Sequence, residues 1–196
     1  MKIAMLASHA GTTLQAVLDG CREGRIAASV ALVISNNSGS GALTRARAAG
    51  VPAVHLSSHT HPEPEALDAA IESALIEHSA DVVFLAGYMK KLGPKTLATF
   101  RGRIFNTHPA LLPAFGGQGM YGSRVHEAVL ASGARESGPS FHLVEAEYDT
   151  GRVLAQARVP VEAGDTVETL AERVRARERE LVVETLHRIA TGAIAI

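Results

Sequence analysis

The chain has few of the residues that mark an RNA-binding surface, a membrane protein or a disulfide-stabilised fold. It contains no tryptophan, and aromatic residues make up only 4% of its 196 residues, which argues against a surface that stacks RNA bases. Its formal net charge is −1, so the composition gives no reason to expect nucleic acid or an anionic membrane as a partner. We expect a protein that binds small molecules.

Cysteine and long apolar runs are also scarce. The single cysteine, Cys21, excludes an intrachain disulfide. Because it lies at helical spacing with Leu14 and Val17, we interpret it as a small core residue and not as a nucleophile. No stretch reaches 18 apolar residues, and the first residues lack a basic segment followed by an apolar one, so we expect a soluble, cytoplasmic protein.

Apolar strands alternate with amphipathic helices through the first two thirds of the chain. Strands are predicted over residues 2–7, 30–35, 53–56, 81–86 and 103–107, and helices over residues 12–24, 41–49 and 63–79. This alternation predicts a parallel sheet with right-handed crossovers. In such sheets ligands bind beyond the carboxyl ends of the strands.

The pattern changes after residue 125. A short helix is predicted over residues 126–132, two strands over 140–144 and 153–161, and a long helix over 166–191. The two strands are close enough in sequence to pair antiparallel. We therefore predict an α/β fold, Rossmann-like and doubly wound, with a mostly parallel sheet, antiparallel C-terminal strands and a long C-terminal helix. Residues 1–196 are predicted to form a single domain.

The most informative segment is residues 104–113, taken together with Asp149 about forty residues later. Asn106 and His108 are two apart at the end of a predicted strand, so their side chains point to the same face. Alone, either residue is more often a turn former than a catalyst. An amide and an imidazole beside a carboxylate, however, suit the stabilisation of an oxyanion, and Asp149 would favour a positively charged His108.

Metal and dinucleotide chemistry have little support in the sequence. Nine histidines are present, but no H-x-x-E-H, H-E-x-x-H or Cys/His cluster occurs, so no metal site is predicted. Gly11 and Thr12 follow the first strand and begin a helix, where an anion is favoured. The three-glycine spacing of a nicotinamide dinucleotide site is absent. A simple helix cap is the alternative for this turn.

Four segments carry a family resemblance. Residues 106–113 resemble the N-x-H-P-S/A-L-L-P signature of the folate-dependent formyltransferases, and residues 147–151 resemble their later D-x-G turn. Residues 86–92 and 11–14 resemble the A-G-F/Y-M-R-x-L loop and the G-T-N-L turn of the branch that acts on glycinamide ribonucleotide. The resemblance runs from the first strand to the last helix.

The resemblance implies a reaction. The formyl group of 10-formyltetrahydrofolate, bound as a co-substrate, passes to the amine of glycinamide ribonucleotide in de novo purine biosynthesis, without a metal and without a covalent nucleophile. Asn106, His108 and Asp149 are the implied catalytic residues, and His142 supports them by a hydrogen bond to Asp149 or its neighbours. The protein is expected to be a monomer or a homodimer that binds neither nucleic acid nor membrane.

The resemblance also divides the substrates between two ends of one site, with the N-terminal half binding the nucleotide and the C-terminal half contributing to the folate site. The residues implied for folate are Leu85, Met89, Lys90, Lys91, Leu92, Ile104, Asn106, Val144 and Asp149. Those implied for the nucleotide are Gly11, Thr12, Thr13, Leu14, Pro109, Arg175 and Glu178. For Leu85 and Ile104, plain core residues are an equally good interpretation.

Several positions depart from the family pattern. Thr13 replaces an asparagine, Lys90 replaces an arginine that many relatives carry, Arg179 replaces a histidine, and Val182-Val183 replace Tyr-Pro. The run 116–122 holds four glycines in seven positions. It predicts a mobile cover near the substrate amine, with a passive surface loop as the alternative.

Other functions remain open at this point. A formyltetrahydrofolate deformylase or a sugar-amine formyltransferase would share the residues 106–113. The deformylase pattern usually includes an N-terminal regulatory domain and a tRNA formyltransferase a basic C-terminal module, and we expect neither here. A binding module without catalysis would be expected to lack one of Asn106, His108 and Asp149, and all three are present.

Overall fold

The computed structural model describes all 196 residues and contains a seven-stranded sheet with helices on both faces. The strands are β1 (Lys2–Leu6), β2 (Ser29–Ser35), β3 (Ala53–His55), β4 (Val82–Leu85), β5 (Ile104–His108), β6 (Glu136–Ser137), β7 (Ser140–Leu143), β8 (Val153–Gln156) and β9 (Val159–Pro160). The helices are α1 (Thr12–Arg22), α2 (Gly41–Ala48), α3 (Pro64–Glu77), α4 (Pro94–Thr99), α5 (Ser123–Ala131) and α6 (Val167–Ala190).

The strand order in the large sheet is β3-β2-β1-β4-β5-β7-β8. The first five strands in this order run parallel, and β7 and β8 are antiparallel additions beside β5. The predicted mixed topology is therefore confirmed. Because the order reverses between β1 and β4, the carboxyl ends of these strands and of β5 border a crevice, which is where open α/β sheets bind ligands.

Alternation along β1 divides the core into two layers. Ile3 and Met5 face a cluster that includes side chains of α1, α2 and α6. Ala4 and Leu6 face a second cluster, formed with α3 and with Phe100 at the end of α4. Since successive strand side chains point to opposite faces, both faces of the sheet are covered, as the almost wholly apolar strand β4 requires. None of the helices is both long and apolar enough to cross a membrane.

Two elements differ from the sequence-based prediction. The strand predicted over 153–161 is two strands, β8 and β9, and β9 pairs with the unpredicted β6 in a separate two-stranded sheet. The chain leaves the main sheet after β8 because Val159 packs in a small cluster with Val129, Leu170 and Val174. The prediction also omitted α4, a six-residue helix.

Helix α4 is capped from a distance. Asp68 on α3 is only 4% exposed, and its carboxylate accepts hydrogen bonds from Lys95 N at 2.8 Å, Thr96 N at 3.1 Å and Thr96 Oγ1 at 2.6 Å. The residue just before the helix, Gly93, offers no side-chain cap. A carboxylate at a helix N-terminus satisfies the first N–H groups and interacts well with the dipole. This contact fixes α4, and Leu97 on α4 lines the cleft described below.

We expect Asp68→Ala to lower the free energy of unfolding by about 2–3 kcal/mol, because it leaves buried N–H groups without an acceptor. Urea denaturation followed by circular dichroism measures this loss. Glu72→Ala is the matched control, since Glu72 accepts an exposed hydrogen bond from Thr99 between the same two helices. Equal losses in the two variants would show that Asp68 is not the cap that holds α4.

Candidate active site

A cleft of about 860 Å³ opens at the carboxyl ends of β4 and β5. Its wall is formed by five segments of the chain. They are the loop after β4, the end of β5, the loop of residues 115–124 (called the glycine loop below), the segment after β7 and one side of α6. The sets of lining residues are Gly87–Leu92, Asn106–Pro109, Gly117–Arg124, Val144–Asp149, and Arg175 with Glu178. Both halves of the chain therefore build the same cavity.

Asn106 and His108 lie on one face of β5 and both line the cleft, as their spacing predicts. Strand β7 pairs antiparallel with β5, which places Asn106 opposite His142. The Asn106 amide nitrogen is 3.2 Å from His142 Nε2. The asparagine is thus held by the neighbouring strand before any ligand binds.

Asp149 completes the predicted trio. One of its carboxylate oxygens, Oδ2, lies 3.3 Å from His108 Nδ1, and the other lies 3.6 Å from His142 Nε2. Asp149 has a left-handed backbone with φ of 57°, a conformation that aspartate tolerates better than most residues. The turn lies against β7 so closely that a Cβ on Gly151 would be 2.0 Å from the Leu143 carbonyl oxygen. Only glycine at position 151 allows this approach.

The two histidines beside Asp149 face different partners. His108 has an acceptor at each nitrogen, the Asp149 carboxylate at Nδ1 and the Phe115 carbonyl at 2.7 Å from Nε2. Two acceptors suit an imidazolium, which donates from both nitrogens. His108 is 3% exposed, so the Asp149 carboxylate and not solvent is the partner of its Nδ1. The geometry lets His108 donate from both nitrogens.

His142 has the opposite arrangement. Its Nδ1 lies 2.8 Å from the Leu143 carbonyl oxygen and its Nε2 faces the amide N–H of Asn106, which suits the neutral tautomer with hydrogen on Nδ1. Burial lowers the pKa of His142, and this effect outweighs the opposing ones of the Leu143 carbonyl and the Asp149 charge. The hydrogen bond predicted to Asp149 or its neighbours is made to Asn106, since Nε2 lies 3.2 Å from the Asn106 amide nitrogen and 3.6 Å from Asp149 Oδ1.

The glycine loop makes contacts that the sequence did not predict. The Gly117 N–H donates to Asp149 Oδ2 at 2.9 Å, and Phe115 supplies the carbonyl that His108 contacts. Phe115 and Gly117 both have positive φ, 55° and 98°. The run of glycines was the only sequence feature that indicated a special role for this loop. The loop lines the cleft, which argues against a passive surface loop. Its mobility stays a prediction.

Most of the side chains predicted to contact folate line the cleft beside β4. Leu85, Met89, Lys90, Lys91, Leu92 and Val144 all contribute to the wall. Lys91 Nζ lies 5.4 Å from the centre of the Tyr148 ring, so a cation–π contact joins two walls. The prediction that Ile104 contacts folate is wrong. Ile104 is 1% exposed and packs in the core with Leu85 and Leu92. It shares the face of Asn106 but lies two residues closer to the amino end of β5, where these side chains cover it.

The predicted nucleotide-binding residues separate into two groups. Pro109, Arg175 and Glu178 line the cleft, whereas the residues 11–14 do not. The Leu14 side chain is fully buried in the core, so only its backbone N–H could contact a ligand, and that contact stays a prediction. Gly11 has φ of 71°, and a Cβ there would lie 2.8 Å from Ala42 Cα. A glycine is therefore needed at this position so that the turn can pack closely against α2.

The turn before α1 nevertheless adjoins the cleft wall. Ser8 Oγ accepts a hydrogen bond from Met89 N at 2.8 Å and contacts Asn36 Oδ1, which links the end of β1 to the loop after β4. The first N–H groups of α1 have no intrahelical acceptor, and Gly11 provides no capping side chain. Anion binding by the backbone of Thr12 and Thr13 stays a prediction.

The arginines of α6 are not equivalent. Arg173 pairs with Asp165 at 2.7 Å, and Arg177 pairs with Glu180 and Glu184. Arg175 makes no ion pair and lines the cleft. An unpaired guanidinium at this end of the cavity is a ready partner for a phosphate or carboxylate.

The sequence did not predict a role for Thr107 or His126, both of which line the cleft. Thr107 donates a hydrogen bond from Oγ1 to Glu178 Oε1 at 2.6 Å; strand alternation could have placed it on the face of β5 that α6 covers. His126 on α5 is 4% exposed, and its Nδ1 has no partner. Burial lowers the pKa of His126, and the charges of Arg175 and His108 lower it further. No sequence signal distinguished His126 from a core histidine.

We expect the Asp149→Asn substitution to lower the pKa of His142 further, because it removes the one nearby charge that raises it. NMR titration of the imidazole resonances in both proteins measures the change. Asp81→Asn is a suitable control, since Asp81 is exposed and binds the Lys2 N–H. An unchanged or higher pKa in Asp149→Asn would contradict the electrostatic contact.

The depressed pKa of His142 also predicts a pH dependence of stability. Below the ordinary value of 6.5, the unfolded chain binds a proton that the folded protein resists, so the free energy of unfolding should fall as the pH decreases. The dependence should be weaker in His142→Gln. Urea denaturation at pH 7.5 and at pH 5.5, about one unit to either side of the ordinary histidine value, measures it. Equal pH dependence in the two proteins would show that His142 contributes nothing.

Comparison with known proteins identifies the family. The formyl transferase family model matches residues 1–186. A phosphoribosylglycinamide formyltransferase of Mycobacterium tuberculosis is 40% identical over 195 residues, covering 100% of this chain and 87% of that protein. A chloroplastic phosphoribosylglycinamide formyltransferase of Arabidopsis thaliana is 42% identical over 194 residues, 98% of this chain, and this chain spans 66% of that plant protein's length.

The fold agrees with this assignment. The crystal structure of glycinamide ribonucleotide transformylase 1 from Symbiobacterium toebii superposes with a TM-score of 0.93 at 42% identity, covering 100% of this chain and 90% of that one. The similarity extends over the whole sheet and the long C-terminal helix, and it confirms the resemblance seen in residues 106–113. This chain belongs to the formyl transferase family, in the branch of the phosphoribosylglycinamide formyltransferases.

Proposed function

We propose that this protein transfers the formyl group of 10-formyltetrahydrofolate to the amine of glycinamide ribonucleotide, giving N-formylglycinamide ribonucleotide and tetrahydrofolate in de novo purine biosynthesis. The observation that carries the proposal is the convergence of Asn106, His108 and Asp149 midway along one cleft. An apolar and lysine-bearing wall lies on one side of this trio, and an unpaired arginine with a carboxylate lies on the other. The folate donor fits the first side and the ribonucleotide the second.

The trio stabilises the negative charge that develops on the substrate during the reaction. When the amine attacks the formyl carbon, negative charge builds on the formyl oxygen. A charged His108 donates to that oxygen from Nε2, and the oxyanion takes the place of the Phe115 carbonyl, which is a weaker acceptor. Asp149 at 3.3 Å stabilises the imidazolium and fixes its orientation, so little reorganisation is needed during the reaction.

Asn106 is the second donor to the oxyanion. One N–H of its amide is taken by His142 Nε2 at 3.2 Å, which leaves the other N–H for the formyl oxygen. This arrangement depends on a neutral His142, since an imidazolium would have no lone pair to accept the amide. The burial that lowers the pKa of His142 therefore serves the orientation of Asn106.

The attacking amine must lose a proton and the leaving folate nitrogen must gain one. Asp149 is the carboxylate of the trio, and it can relay this proton through a water molecule. No bond to the protein forms in this scheme, and no metal takes part. The elements that hold donor and acceptor come from both halves of the chain, so we infer that residues 1–196 act as one catalytic unit.

The ends of the cleft hold the substrates. Leu85, Leu92 and Val144 offer an apolar surface to the pterin ring, and Lys90 and Lys91 supply positive charge at the exposed rim. At the opposite end, Arg175 suits the phosphate and Glu178 can accept from ribose hydroxyls. The N–H groups at the start of α1 offer a further anion site.

The deciding experiment incubates the purified protein with 10-formyltetrahydrofolate and follows tetrahydrofolate release. We expect release that depends on added glycinamide ribonucleotide. Release without it would indicate a deformylase. Formyl transfer to an amino sugar but not to the ribonucleotide would indicate a sugar-amine formyltransferase. Either of these outcomes would overturn the proposal.

We expect His108→Ala to lower kcat by about 10²–10³-fold, the usual cost of removing one oxyanion donor. Asp149→Ala should have an effect of similar size, because His108 loses the charge that stabilises it. His59→Ala, which changes an exposed histidine far along the chain from the trio, is the matched control and should retain full activity. Turnover close to wild type in a well-folded His108→Ala protein would rule out the assigned mechanism.

A further inference from the structure

We infer that Thr107 is a positioning residue: its hydroxyl holds the Glu178 carboxylate in the cleft, where Glu178 accepts the hydroxyl groups of a nucleotide's ribose. The inference deepens the proposed function and rests on it for the identity of the ligand. The hydrogen bond joins Thr107 Oγ1 on β5 to Glu178 Oε1 on α6 at 2.6 Å. It connects the strand that carries the catalytic pair to the helix that faces the nucleotide.

Strand alternation explains why Thr107 makes this contact. Asn106 and His108 point to one face of β5, so Thr107 points to the other. On that face the preceding alternate residue, Phe105, packs in the core layer that α6 covers. Thr107 and Glu178 are both partly buried and both line the cleft. The pair therefore lies at the border between the helix packing and the ligand cavity.

The hydroxyl gives Glu178 a fixed orientation. A glutamate side chain has three rotatable bonds, and ordering them costs entropy that binding would otherwise have to offset. The short hydrogen bond engages Oε1 and leaves Oε2 without a protein partner. A preorganised carboxylate with one free oxygen suits a ligand hydroxyl better than a mobile one.

The hydroxyl also opposes the effect of burial on Glu178. Burial raises the pKa of Glu178, while the Thr107 hydrogen bond and the charges of Arg179 and Arg175 lower it. Two more titratable groups, His108 on β5 and His126 on α5, line the same cavity. Without the Thr107 donor, Glu178 would protonate more readily and would lose acceptor capacity for the ribose.

The test compares Thr107→Val, which removes the hydroxyl at nearly constant volume, with Thr107→Ser, which keeps it. In Thr107→Val we expect KM for glycinamide ribonucleotide to rise about tenfold, since hydrogen bonds to charged groups are the stronger ones. We expect kcat and KM for 10-formyltetrahydrofolate to change little, and Thr107→Ser to restore the nucleotide KM. The acid limb of the pH profile of 1/KM should move to higher pH in Thr107→Val.

A matched control comes from a second threonine–glutamate pair. Thr99 Oγ1 donates to Glu72 between α3 and α4, away from the cleft, so Thr99→Val should leave all kinetic constants unchanged. An unchanged nucleotide KM in Thr107→Val would overturn the inference. A Thr107→Ser protein as impaired as Thr107→Val would also overturn it, because the retained hydroxyl would then fail to restore binding of the nucleotide.

A titration of the ligand-free protein separates this inference from the proposed function. With ¹³C-labelled glutamate, the Glu178 carboxyl resonance is assigned by its loss in Glu178→Gln. We expect its pKa to be higher in Thr107→Val than in wild type, and close to wild type in Thr107→Ser. If wild type fails to formylate the ribonucleotide, the proposed function is wrong and this titration alone decides whether Thr107 controls Glu178; an unchanged pKa would refute that control.

Discussion

The arrangement of the cleft depends on the carboxylate of Asp149. It lies 3.3 Å from His108 on β5, 3.6 Å from His142 on β7, and accepts the Gly117 N–H of the glycine loop at 2.9 Å. Two strands and the glycine loop thus converge on one side chain that is only 10% exposed. A carboxylate buried this far needs compensating donors or charge. The Gly117 N–H and the His108 imidazole supply these contacts, and the same contacts fix the positions of the side chains that line the cleft.

A single carboxylate lies beside two histidines, and the neighbouring acceptors and donors give the two imidazoles different hydrogen-bonding roles. His108 faces only acceptors, Asp149 and the Phe115 carbonyl, whereas His142 faces one carbonyl and one amide donor. The two histidines are therefore suited to different roles. In the mechanism that we propose, a charged His108 stabilises the developing oxyanion, and a neutral His142 fixes the amide of Asn106. Environments that separate the protonation states of adjacent groups are a common device of acid–base sites.

Local patterns were sufficient to predict most of the fold and the shared face of Asn106 and His108, because both depend on short-range periodicity. Strand–helix alternation gave the mixed sheet, and the two-residue spacing placed Asn106 and His108 on one face. The errors concern long-range contacts. Helix α4 needs a cap from Asp68, and Ile104 is covered by Leu85 and Leu92. The choice of Asn106 as the partner of His142 follows from the β5–β7 register. Thr107 was overlooked for the same reason, since its partner lies 71 residues away.

The positions of Arg179, Val182 and Val183 in the structure show whether these departures from the family pattern could affect binding of the acceptor substrate. Val182 is fully buried and Val183 nearly so, both within the core layer on the α6 face of the sheet. Arg179 does not line the cleft. These substitutions therefore change packing and surface charge, not ligand contacts. The chemistry offered to the acceptor at this end comes from Arg175, Glu178 and Thr107. A cation beside a preorganised carboxylate matches a ligand that carries both an anion and neighbouring hydroxyls, as a ribonucleotide does, and the exchange of core residues behind them leaves that match intact.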